Sequence, residues 1–469
     1  MLSPSTTAAR MDRLPITRVH KRALATLAFV FLFEFGDLNT FAYVAPSLIK
    51  HLGFSVPDIA VVTSAAFLGM AIGAIFGGRI SDRFGRKRAL LFSTLTFSVF
   101  SLLNAVGFNV PSFVVFRFLT GIGLSAMVVA ATTYISEVMP ADRRGRMQSA
   151  VMAVGLAGIP FMSFSARAIV PLAGDSWRLI FVLGAAALLA VPALRALPES
   201  PRWLMHKNRP ETAEAVVERF EARAQPLPPL QEPTVPAPTA PLSLAQTARG
   251  YGQLFRSPVG RRTLFLAIVW VFQTLGFYGF VAWVPTLLAQ HGFTIAQSLG
   301  FSALTTIGAV PGALLAWPIT DRLGRKGPLV VVSLLTAASG LAYGLTFNPV
   351  AIVAFGFCVN LLIQTFATLL YAYSPELFPT GLRNAGHGLV YGTGRLANIF
   401  GPALVAVIFG SLGYQAVFVY IAVCWLIVAL AIALFGPRTG KRPLETLSEE
   451  TAPGEEHADT RPRAESSPA

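Results

Sequence analysis

Charge is scarce in this chain. Asp, Glu, Lys and Arg make up 13% of its 469 residues, against roughly 25% in an ordinary globular domain. Cysteine is scarcer still: Cys358 and Cys424 are the only two, and both fall in apolar runs where a thiol behaves as a small buried hydrophobe. Neither a disulfide nor a metal site is expected from them. The chain also lacks a Walker A sequence, a G-x-S-x-G turn, His/Cys spacing of metal-ligand type and a long soluble catalytic domain. An enzyme, an ATP-driven pump, a cofactor and a bound metal are therefore not expected. The first 22 residues are polar and basic, and no small-residue cleavage pattern follows the first apolar run, which argues against a cleaved signal peptide.

What the chain has instead is hydrophobic residue, 54% of the total, with a mean hydropathy of +0.60. A helix needs roughly 18 to 20 apolar residues to cross a bilayer. About twelve candidate runs occur: 23–48, 58–78, 89–107, 113–135, 147–170, 178–197, 263–288, 298–319, 328–347, 350–373, 385–409 and 413–435. An all-α membrane protein of about twelve transmembrane helices is the expected fold. The net charge of +14 does not point to nucleic acid, because the basic residues sit on one side. With the first run leading outward, all but Lys50, Arg117, Arg167, Arg178 and Arg395 fall in cytoplasmic segments. The positive-inside rule then puts both termini in the cytoplasm, in a bacterial-type inner membrane, and a monomer is expected.

The chain repeats itself at an offset of 239. GRISDRFGRK (78–87) returns as WPITDRLGRK (317–326), YISEVMPADRR (134–144) as YSPELFPTGLR (373–383), and APSLIKHLGF (45–54) as VPTLLAQHGF (284–293). One offset satisfying three separated blocks marks a duplication. The expected organisation is a tail (1–22), a six-helix bundle (23–197), a cytoplasmic linker (198–262), a second bundle (263–436) and a tail (437–469). The linker holds PESPRWL, a candidate amphipathic helix at 210–224, and the run PLPPLQEPTVPAPTAP, expected to be a disordered spacer. The second tail is polar enough for disorder to be expected there too. Parallel repeats of this kind point to a transporter with its site at midplane between the halves.

These motifs carry a resemblance. The duplicated GRISDRFGRK loop resembles the signature of the major facilitator superfamily over nearly the full chain. RFLTGIG (117–123) is similar to its fourth-helix motif, and PESPRWL to a motif of sugar porters and organic-ion transporters. Trp317 replaces the expected first Gly of the second copy. Physically, D-R-x-G-R-K sets a carboxylate against guanidinium groups at a helix end. Asp82, Arg83, Arg86, Asp321, Arg322 and Arg325, with Glu137, Arg144, Glu376 and Arg383 at neighbouring helix ends, can form one ion-pair network. The resemblance implies that it latches the cytoplasmic face; the alternative is that the basic residues only set topology.

Glu34 and Asp37 cannot be topology signals. They lie near mid-bilayer in the first run, three residues apart on one helical face, and an unpaired carboxylate there costs at least a few kcal/mol unless it faces a cavity or a partner. They suit a group that binds and releases protons; a structural acid neutralised by Arg is the bland alternative. Arg117 is the expected partner, and the resemblance to sugar porters implies a pair of this kind in proton coupling. Asp37 is favoured over Glu34 because Arg117 is nearer the outer side. E-F-G-D also resembles the D-x-x-D of aromatic-acid symporters.

Arg395 lies near mid-bilayer in the eleventh run, and its repeat counterpart is Leu156, so the fold does not require its charge. Its planar fork matches a carboxylate, which makes it the expected substrate anchor, with Gly392, Gly394, Gly401 and Pro402 easing a bend. Gln273, Tyr278, Trp283, Asn39, Tyr43 and Gln364 are further candidates to stack on or hydrogen-bond a small ring, although core packing is the commoner fate of such aromatics. FYGFVAWVPTLL resembles nicotinate-type and organic-ion transporters. His387 is expected to be structural. The expected function is proton-coupled symport of a small organic acid, with aromatic carboxylates among the candidates. Alternatives are a sugar or polyol symporter, a proton antiporter exporting a cation, and a non-transporting sensor.

Overall fold

The computed structural model describes residues 4–140, 142–224, 252, 254–255, 259–378 and 382–437, without the side chains of residues 4–5, 317, 320–323 and 383–384. The Pro-rich part of the linker and the tail beyond residue 437 lie outside the described residues. Every described element is helical. The first half comprises α1 (Pro4–Asp12), α2 (Arg18–Leu52), α3 (Val56–Phe84), α4 (Arg86–Asn104), α5 (Val110–Val138), α6 (Arg144–Leu156), α7 (Gly158–Ile169), α8 (Trp177–Gly184) and α9 (Val191–Ala196). Two short helices, α10 (Pro201–His206) and α11 (Pro210–Glu221), precede the second half. That half comprises α12 (Val259–Val281), α13 (Val284–Gln290), α14 (Ile295–Thr306), α15 (Ala309–Leu323), α16 (Lys326–Leu345), α17 (Pro349–Glu376), α18 (Arg383–Leu412) and α19 (Tyr414–Phe435).

Among the described residues, eleven helical segments are long and apolar enough to cross a membrane. The expected third run is the exception. It forms α4, whose first turn is Arg-Lys-Arg and whose remainder carries five Ser and Thr. Four expected spans are interrupted. The fifth breaks between α6 and α7 near Ala157, and the sixth passes through a 3-10 stretch at Ala185–Ala190 between α8 and α9. The seventh breaks between α12 and α13 at residues 282–283, and the eighth between α14 and α15 at residues 307–308.

The duplication is visible in local chemistry. Ser55 and Asp58 form a capping box at the start of α3, and Thr294 and Gln297 form one 239 residues later at the start of α14, satisfying backbone N–H groups that a helix start leaves bare. Gly73 lies so close to α5 that a Cβ there would stand 2.2 Å from the Ile122 carbonyl oxygen, and Gly312 meets the Leu361 carbonyl oxygen at the same 2.2 Å. Such small-residue contacts let membrane helices approach backbone to backbone. Tyr134 donates to the carbonyl of Pro198 at 3.0 Å and Tyr373 to that of Pro437 at 2.8 Å.

The halves meet along α3 with α18, α7 with α14 and α2 with α13. Phe41, Val44 and Leu48 of α2, Phe113 of α5 and Trp177 of α8 share one apolar core with Trp283, Leu287 and Leu299 of the second half. The other end of the first half has a separate core, in which Leu27, Phe31, Leu90 and Ile135 pack with Met11 of α1 and Val217 and Phe220 of α11. The halves are thus sealed together at the end remote from α10 and α11.

Candidate functional site

Lone charges inside apolar helices need partners, and Asp37 has a full set. It is completely buried, and Arg117 Nη1 donates to its Oδ2 at 3.2 Å while Nη2 donates to its backbone carbonyl at 3.3 Å. Ser101 of α4 donates to Oδ1. Gly184 of α8 makes room for this, since a Cβ there would stand 2.5 Å from Asp37 Oδ1. The Arg117 guanidinium also lies 5.6 Å from the Phe41 ring centre, a cation–π distance.

Glu34, one turn earlier, is different. It is 4% exposed, and its Oε2 has no hydrogen-bond partner. The charges that act on it are Arg395, from the other half, and Asp37. Arg395 is itself half-committed: its Nε donates to the Tyr391 hydroxyl at 2.8 Å and Nη2 donates to the same oxygen, whereas Nη1 is buried without a partner. Tyr278 of α12 and Tyr371 of α17 stand within its electrostatic reach alongside Tyr391. Trp270, Tyr371, His387 and Tyr391 form a continuous aromatic cluster beside it, with ring centres 5.1 Å to 6.3 Å apart.

The remaining expected residues divide. Asn39, Arg117 and Tyr278 line one cleft between the halves, which Tyr278 closes by meeting Phe67 of α3 edge-on at 4.8 Å. Gln273 is buried and accepts from Thr274 at 3.2 Å. Gln364 is half-buried on α17. Trp283 and Tyr43 are 1% and 2% exposed and sit in the apolar core that joins the halves. There both side chains pack against apolar neighbours.

The ion pairs at the helix ends stay within each half. Arg86 binds Asp82 and, at 2.8 Å, Glu137; Arg325 binds Glu376 at 2.7 Å, the repeat-equivalent pair. Arg83 is exposed over the Phe84 ring. Arg144 turns instead to Asp12 of α1 at 3.4 Å, because α1 folds back beneath the first half. The side chains of Asp321, Arg322 and Arg383 are outside those described. The pairs of Arg86 with Asp82 and Glu137, and of Arg325 with Glu376, each lie within one half. PESPRWL fastens α10 onto the α3–α4 turn, since Glu199 accepts from the Lys87 N–H at 3.0 Å and Trp203 donates to the Asp82 carbonyl at 2.8 Å.

Sequence reading missed several groups. Ser101, Gly184, Tyr391 and Trp270 carry no charge to single them out. Asn398, one turn beyond Arg395, is 1% exposed with both amide atoms unpartnered; an amide beside a mid-membrane Arg was the available signal.

Comparison with known proteins matches residues 23–450 to the family described as Sugar (and other) transporter. The "Putative metabolite transport protein YyaJ" of Bacillus subtilis (strain 168) is 43% identical over 94% of this chain and 97% of its own. The niacin transporter NiaP of Acinetobacter baylyi is 27% identical over 94% and 99%, and the 4-hydroxybenzoate transporter PcaK of the same organism 29% over 86% and 88%. Among solved structures, an inward-open form of the xylose transporter XylE from E. coli superposes with a TM-score of 0.71 at 21% identity, covering 92% of this chain and 99% of that one.

Proposed function

Since the chain belongs to the Sugar (and other) transporter family of the major facilitator superfamily, we propose that it carries a small aromatic carboxylate across the membrane together with protons. It is a multi-pass inner-membrane transporter of small molecules and not an enzyme, as its relatives and structural neighbours are transporters. The finer reading has α4 as a twelfth span, giving six plus six, with both termini in the cytoplasm, supported by the one-sided distribution of Lys and Arg. The chain acts as a monomer. The seal remote from α10 and α11 fits an inward-open form, from which the halves rock about the central site.

The observation that carries the substrate class is Arg395. Its Nη1 is buried, unpartnered and between the halves, and the Trp270, Tyr371 and Tyr391 rings beside it suit a flat aromatic body. Niacin and 4-hydroxybenzoate, which two relatives are named for, are both aromatic carboxylates. A cation exporter would need Glu34 to face an open cation site, yet the foremost charge acting on Glu34 is the guanidinium of Arg395.

Uptake of labelled nicotinate, 4-hydroxybenzoate and xylose by proteoliposomes tests this. One of the acids is expected to enter, with Arg395→Ala lowering its uptake efficiency about 10- to 100-fold, the loss expected for a charge-assisted hydrogen bond of roughly 1.5–3 kcal/mol. Xylose uptake that is indifferent to Arg395→Ala would establish the sugar reading instead.

A further inference from the structure

Glu34 Oε2 and Arg395 Nη1 are buried polar atoms of opposite charge, from opposite halves, and neither has a hydrogen-bond partner. Each acts electrostatically on the other side of the interface, yet no ion pair joins them among the described residues. Asp37 is not in this position, because Arg117 and Ser101 already hold both its oxygens. Among the described residues, the groups around Glu34 leave Arg395 as its one opposite charge. On its own helix there is Asp37, and from α12 Tyr278. Helices α6 and α7 meet this stretch of α2 through Gly155, Gly158 and Met162, none of which titrates.

We propose that Glu34 and the substrate carboxylate take turns as the counter-charge of Arg395. In the empty site, ionised Glu34 balances Arg395 across the gap. When a carboxylate binds Nη1, the local charge would become one unit too negative, and Glu34 gains a proton from water in the open cavity, becoming a neutral carboxylic acid. Release of the carboxylate returns that proton. One proton then accompanies each carboxylate, and Glu34 is the substrate-linked proton carrier, while Asp37 and Arg117 tie α2 to α5. The low-dielectric setting makes this exchange compulsory, since an unbalanced charge there is costly. The inference rests on the reading of Arg395 as a carboxylate site.

Equilibrium binding of labelled benzoate to the purified full chain between pH 5.5 and 8.5 tests it. Benzoate stays ionised over that range, so its own titration does not intrude. Wild-type affinity should be level at low pH and fall as pH rises through the range in which Glu34 of the empty site gives up its proton, approaching tenfold per unit as expected for a reaction linked to one proton, and E34Q should bind benzoate with a flat profile. Proton uptake on benzoate addition in weak buffer should rise toward one per benzoate bound at the upper end of that pH range in the wild type, a readout that does not depend on any variant folding. Benzoate binding with a flat wild-type profile, no proton uptake, or a slope kept in E34Q but lost in D37N would overturn this assignment alone. No benzoate binding at any pH would overturn the carboxylate site and this inference with it.

Discussion

At the scale of single residues, the charges were legible because they interrupt apolar runs, and the neutral groups that complete the site were not. Asp37, Arg117, Glu34 and Arg395 stand out in any reading of the chain. Ser101 and Gly184 do not, since hydroxyls and glycines are ordinary in membrane helices, and only the folded chain shows one donating to Asp37 and the other making room for it. Trp283 shows the converse: an aromatic looks the same in sequence whether it lines a site or fills the core, and Trp283 lies among buried apolar side chains. The Asp37–Arg117 pair is fully buried, and removing one partner of such a pair leaves an uncompensated charge worth about 3–5 kcal/mol. Asp37→Asn should therefore lower the melting temperature of the purified protein markedly, and Asp37→Asn combined with Arg117→Gln should recover much of the loss. A double variant as unstable as the single one would show that the pair is not what holds α2 to α5.

Among the helices, the repeat was legible because both copies solve the same packing problem with the same residue types at a fixed offset. Gly73 and Gly312 allow α3 to touch α5 and α15 to touch α17. Gly73→Leu should cost at least about 1–3 kcal/mol by overpacking, read as a lower thermal-shift midpoint, while Gly78→Ala, with its nearest foreign atom 3.8 Å away, should leave that midpoint unchanged. The N-terminal helix was not legible, since nine mostly polar residues carry little periodic signal. Its docking rests on long-range pairs: Arg10 with Glu214 and Glu221 at 2.6 Å each, and Arg13 with Glu221 at 2.6 Å. The two guanidiniums hold the Glu221 carboxyl below its ordinary range, with the hydrogen bond from Arg10 the largest cause. A carboxyl depressed in the folded state contributes stability that is present above its unfolded pKa, near 4.5, and is lost as pH falls through the lower folded value. Hydrogen exchange in α1 should accelerate as pH falls below about 4.5 relative to exchange in α10 after correction for intrinsic rates, and Glu221→Gln should remove that difference.

For the whole molecule, the two halves are near-copies in architecture and unlike in charge. Glu34 and Asp37 of the first half correspond to Gln273 and Gly276 of the second, and Arg395 of the second to Leu156 of the first. Symmetry builds the bundle; the departures from symmetry meet at the interface, where the proposed site lies. The class of protein was legible from composition and repeat, whereas the pairing of Arg144 with Asp12 was not, since it depends on how α1 folds beneath the first half. The central claim, carboxylate transport driven by protons, is tested most directly by loading proteoliposomes at pH 7.5, placing them at pH 6.0 with labelled nicotinate or 4-hydroxybenzoate, and following the internal concentration. Accumulation above the external level, in excess of protein-free vesicles and abolished by a protonophore, is the predicted result. Entry that stops at the external concentration, or accumulation indifferent to the protonophore, would contradict it.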